Sequence, residues 1–71
     1  MENLITKEMA ERFYGDLCEE VYEDRTKNSG GIMSEELIAE YMSMSVEDAT
    51  NFCKAMIRFG ITERQGGMIV V

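Results

Sequence analysis

The stretch from Glu36 to Val71 reads ELIAEYMSMSVEDATNFCKAMIRFGITERQGGMIVV, and it leaves little freedom in how this chain can fold. Its centre is a helix expected from about Val46 to Phe59. Ala49, Phe52, Cys53, Met56 and Ile57 follow the i, i+3, i+4, i+7, i+8 spacing of one buried stripe. Ser45 precedes it as an N-cap, and Ser45-Val46-Glu47-Asp48 makes a start similar to a capping box. Gly60 stands just past its end, at the C′ position that favours glycine. Upstream, Ser34 is placed to cap a shorter helix from Glu35 to about Met42. Glu35 and Glu36 fall in its first turn, where the helix dipole favours acids, and Leu37, Ile38 and Tyr41 are its residues to bury. Only a short turn, Ser43-Met44, separates the two helices. Downstream, Ile61 to Arg64 and Met68 to Val71 read as two short strands around Gln65-Gly66-Gly67, a connection of about three residues that fits an antiparallel hairpin.

The first part of the chain reads as one long helix. Thr6 is its expected N-cap, and the helical pattern continues to about Lys27. Met9, Phe13, Leu17 and Val21 recur at four-residue spacing and are joined by Ala10, Tyr14, Cys18 and Tyr22. That face is wide enough to pack on the other two helices and on a second copy. Glu8, Glu11, Glu19, Glu20, Glu23 and Asp24 lie mostly off it. They are either a solvated surface or an acidic surface for a basic protein. Gly15 inside the helix costs up to about 1 kcal/mol relative to alanine; it serves either close helix packing or a bend. Asn28-Ser29-Gly30-Gly31 turns the chain, and Ile32-Met33 is a short extended piece able to pair with the hairpin.

One domain over residues 1–71 follows, with a first helical region (1–29), a short strand (32–33), a helix pair (34–59) and a hairpin (61–71). The class is mainly α with a small antiparallel β-hairpin. The order helix, strand, helix, helix, strand, strand (α1-β1-α2-α3-β2-β3) is the plan of a winged helix-turn-helix. A chain of 71 residues is near the lower limit for a single core, and its 45 % apolar content suffices for one.

Several classes of function are disfavoured. No run of about 18 apolar residues is present, so no membrane-spanning helix is expected. MENLITKEMAERF carries charges where a signal peptide needs its apolar region, and a cytoplasmic location is the expectation. Cys18 and Cys53 fall on apolar helix faces without CxxC spacing, and the chain has no histidine. Buried, reduced thiols are expected and no metal site, with a disulfide left open. Gly30-Gly31 and Gly66-Gly67 are turn glycines that match no phosphate-binding loop. Glu19-Glu20 and Glu35-Glu36 are adjacent on helices and point in different directions. No catalytic residue and no cofactor are expected. The net charge of −7 disfavours nucleic acid, but it is unevenly placed. Residues 1–48 hold thirteen acids and four bases, a net −9; residues 49–71 hold Glu63 against Lys54, Arg58 and Arg64, a net +2.

Ala39-Glu40-Tyr41-Met42, then Met44-Ser45, Glu47, the apolar Ala49, Phe52, Cys53 and Met56, then Gly60-Ile61 and the hairpin ending in Ile69-Val70-Val71, together resemble the winged-helix DNA-binding domain of bacterial and archaeal transcription regulators. The rhythm is similar to that of the C-terminal domain of catabolite-activator and Fnr-type regulators, over about Leu37 to Val71. The resemblance implies double-stranded DNA as partner, met by Glu47, Thr50, Asn51, Lys54 and Arg58 of the third helix and by Arg64 and Gln65 of the wing. The chain departs from the pattern at Ser43, where the family usually has glycine, and at Val46 and Asn51, where arginines are typical. Asp48 stands where threonine or serine is common, and Ile57 and Phe59 where polar residues are. The family's sensor domain has no counterpart here, so no effector ligand is implied. Met9, Phe13, Leu17, Val21, Ile57 and Phe59 are the expected surface for a homodimer or another protein. Weak DNA binding, as a homodimer, is one expected function. The other is a winged helix converted to an acidic protein-binding module, such as an adaptor, an antirepressor or a mobile-element inhibitor. The −7 charge, the missing arginines and the seven methionines favour this second one.

Overall fold

A computed structural model describes residues 4–23 and 31–71. The elements are α1 (Lys7–Glu23), β1 (Ile32–Met33), α2 (Glu35–Met42), α3 (Val46–Arg58), β2 (Arg64–Gln65) and β3 (Met68–Val70). The strands form one antiparallel sheet in the order β1-β3-β2, with Ile69 between Met33 and Arg64. The last strand is therefore central, and β1, which precedes the helix pair, closes its far side. This is the winged helix-turn-helix arrangement in a mainly α domain. The expected continuation of α1 to Lys27 and the Asn28-Ser29-Gly30 turn lie outside the described residues.

Each helix starts on a hydroxyl that takes up a backbone N–H with no partner inside the helix. Thr6 accepts from Met9 at 3.2 Å, Ser34 from Leu37 at 3.1 Å and Ser45 from Asp48 at 3.1 Å. The second and third helices also end alike. At the end of α2, Ser43 donates to the Glu40 carbonyl (3.3 Å) and Met44 to that of Ala39 (3.0 Å); at the end of α3, Gly60 donates to Ile57 (3.1 Å) and Ile61 to Met56 (2.8 Å). Both are Schellman closures, which need one residue in the left-handed region. Gly60 supplies it at φ 76°; in the inter-helix turn Ser43 does so at φ 54° and ψ 51°.

The core draws on every layer. Ala10, Phe13, Leu17 and Val21 of α1 meet Ile38 and Ala39 of α2, Ala49, Cys53 and Met56 of α3, and Met33 and Ile69 of the sheet. The Phe13 and Phe52 rings stack with centroids 4.3 Å apart. Met33 and Met56 are fully buried, and Met42 and Met44 pack half-buried against the core, so these four fill interior gaps.

Four expectations need correction. Of the six residues expected to form a dimer or partner surface, Phe13, Leu17 and Val21 are interior, because the other two helices already cover that face. Ile57 and Phe59 are half-buried against the same core, and Met9 alone is open, at 45 % exposure. A Cβ built on Gly15 meets nothing within 4 Å, so close packing does not require that glycine. Ile61 is not in a strand. Residues 61–63 lead from the α3 closure into the sheet, where Val70 donates to the Glu63 carbonyl (3.1 Å) and the Thr62 hydroxyl to that of Val70. Gln65 belongs to β2, and the turn is the two-residue Gly66-Gly67. Both glycines have positive φ (56° and 82°), the combination whose twist matches the flanking strands.

Candidate nucleic-acid interface

Glu47, Asn51, Lys54 and Arg58 stand at i, i+4, i+7 and i+11 of α3 and therefore share one stripe, about 16 Å long at 1.5 Å per residue. The stripe faces away from the core: Glu47, Lys54 and Arg58 are exposed and Asn51 half-buried. Its opposite side carries Ala49, Cys53 and Met56, all without solvent exposure, and this packing fixes the orientation of the stripe. Lys54 makes no ion pair among the described residues. The Arg58 guanidinium lies 5.1 Å from the Phe59 ring centroid, within cation–π range.

Two of the other expected contact residues are held elsewhere. Glu35, in the first turn of α2, accepts from the Thr50 hydroxyl (3.0 Å) on one carboxylate oxygen and from Arg64 Nη1 (3.1 Å) on the other. Arg64 also reaches the Gly67 carbonyl at 3.4 Å. One carboxylate thus joins α2, α3 and the wing, and it neutralises the wing's only base. Arg64 pairs opposite the buried Ile69, which places it on the inner face of the sheet, toward Glu35; the alternation of a strand sends exposed Gln65 to the outer face. Of the seven expected residues, four form the α3 stripe, two converge on Glu35, and Gln65 stands apart.

In the sequence Glu35 reads as a helix-dipole acid, and nothing local signals its clamp on Arg64. The two residues are 29 positions apart, and only the register of β2 on β3 brings them together. Beneath the clamp, Cys53 is fully buried. Its thiol is pushed up to about 11, first by burial and then by the Glu35 charge, with Arg64 partly offsetting. On α1, burial and the neighbouring Cys18 thiol raise Tyr14 above its ordinary value, against a lowering contact from Thr62. Both cysteines are free, Cys18 half-buried.

Among the described residues no cluster of three His, Cys, Asp or Glu side chains could hold a metal ion. No helix among them is long and apolar enough to cross a membrane. Comparison with protein-family models, curated proteins and solved structures finds no match to this chain.

Proposed function

We propose that this chain is a small DNA-binding regulator that presents the outer face of α3 to a DNA groove. The observation that carries the reading is the outward Asn51-Lys54-Arg58 stripe, half-buried at Asn51 and exposed at Lys54 and Arg58, on the second helix of a helix-turn-helix, the element that enters the major groove in that architecture. Asn51 suits a base edge, and Lys54 and Arg58 suit phosphates. Charge makes the interaction weak. The first 48 residues carry a net −9, with Glu47 of the stripe itself and Asp48 beside it included, and they repel phosphates. With Arg64 held by Glu35, two bases remain for phosphates, and the logarithm of affinity then falls with the logarithm of salt at a slope of about −2. The proposal includes no dimer through α1, whose Phe13, Leu17 and Val21 are interior. Lys54→Glu with Arg58→Glu tests it. Loss of DNA binding by a still-folded double variant is expected; unchanged binding would refute the role of the stripe.

A second reading, a winged helix turned to protein binding, is favoured by the acids at the start of α3. Glu47 and Asp48 sit in its first turn, exposed, at the end that would lead into a groove. A purified chain that fails to bind duplex DNA even at low salt would select this reading.

A further inference from the structure

A groove of about 410 Å³ runs along α1 and is closed on one side by α3. Met9 and Phe13 line it from α1 and Phe52 from α3, with Glu8, Arg12 and Asp16 along its length. Its volume lies within the range of about 300–1,000 Å³ typical of ligand pockets, although it is open along one side. The residues at positions 8, 9, 12, 13 and 16 occupy two successive turns of one helix face, so the groove has the direction and periodicity of a helix.

The floor is rigid, because the stacked Phe13 and Phe52 rings are anchored in the core. Met9, at 45 % exposure, is the adaptable part of the wall. The surroundings are acidic. On the α1 face that carries the groove, the exposed Glu8, Asp16, Glu19 and Glu20 stand against Arg12, a net −3. Arg12 does not reverse this, since Glu8 and Asp16 stand four residues to either side of it on the same face. At 100° per residue, Phe52 lies roughly 100–160° around α3 from the Glu47-Asn51-Lys54-Arg58 stripe, so the groove and the stripe can be occupied together.

We infer that the groove between α1 and α3 docks a basic amphipathic helix of a partner protein, with one aliphatic or aromatic anchor on the Phe13–Phe52 stack and lysines or arginines on the α1 acids. Charge complementarity selects this occupant: an acidic helix would meet the net −3 face with like charge, whereas lysines or arginines complement it. The inference does not depend on DNA binding, and its test reads the groove separately from the α3 stripe.

Isotope-labelled protein is titrated with a leucine/lysine amphipathic peptide of about 14 residues, four helical turns, and with a scrambled peptide of the same composition. The expected result is amide shift changes concentrated over residues 8–16 and at Phe52, with binding at least about tenfold tighter than for the scrambled peptide. Met9→Asp, at an exposed position, should weaken binding about tenfold without lowering the melting temperature. Lys54→Glu should leave it unchanged. Equal binding of the scrambled peptide, shifts spread evenly over all the acids, or unaltered affinity in Met9→Asp would overturn the inference, as would no binding at all. A dimer that Met9→Asp abolishes and that excludes the peptide would assign the groove to a second copy instead.

Discussion

Ser43 is the residue whose replacement should strengthen this fold most directly. It holds φ 54° in the turn between α2 and α3, where its own N–H and that of Met44 close α2 onto the Glu40 and Ala39 carbonyls. A side chain in the left-handed region costs about 1–2 kcal/mol through contact of its Cβ with the backbone. Glycine removes that cost but gives the unfolded chain more freedom, a loss of about 0.4–1 kcal/mol. Because the Ser43 side chain is exposed, little packing is lost with it. Ser43→Gly should therefore stabilise the protein by about 0.5–1 kcal/mol. With about 2.1 cal/mol/K of unfolding entropy per residue, a chain of this size melts about 3–7 °C higher. Thermal unfolding followed by far-UV circular dichroism measures this. Gly60→Ala is the matched control at the other Schellman closure, φ 76°, and should lower the melting temperature by a similar amount. An unchanged or lower melting temperature for Ser43→Gly would refute the argument, since it would mean that the turn is not held in the left-handed region.

Two further outcomes follow from the Glu35 clamp and the thiol beneath it. Glu35→Gln removes the charge opposite Arg64; it should lower stability by about 1 kcal/mol, a partly exposed ion pair contributing no more than that, and should tighten DNA binding by freeing Arg64, as read by chemical denaturation and a DNA titration. Cys53 has its folded pKa raised from 9.0 to about 11, so the folded state holds its proton more tightly than the unfolded state does. Its stabilising contribution is complete below pH 9.0 and is lost as the pH rises toward 11. Stability measured across that window should fall, less steeply in Cys53→Ala, although Tyr14, raised for similar reasons, adds a slope of the same sign at higher pH.

Much of the fold was legible because its signals are local. Ser34, Ser45 and Gly60 mark helix ends through hydrogen bonds that span only a few residues, and the bounds of α2 and α3 follow from them. The Ile32-Met33 strand was legible from the winged-helix plan, which has a short strand between the first helix and the helix pair, and it pairs with β3 as that plan implies. The hairpin turn is one residue shorter than the sequence suggests, because Gly66-Gly67 alone provides both positive φ values and Gln65 is not needed. The packed face of α1 is narrower than its apolar row. A four-residue spacing drifts around a helix with 3.6 residues per turn, and Met9, at the leading end of that row, falls at the edge of the packed face. The Glu35–Arg64–Thr50 convergence had no local signal, and it changes the candidate site more than any other contact.

The proposed DNA contact requires that α3 offer a usable, weakly positive face on an acidic molecule. A fluorescence-anisotropy titration of the purified protein with random duplex DNA, at low and at moderate salt, tests it most directly. Binding at low salt that weakens with a logarithmic slope of about −2, as two phosphate contacts require, is the expected result. No binding even at about 10 mM salt, where charges are barely screened, would contradict it and leave the winged helix as a protein-binding scaffold.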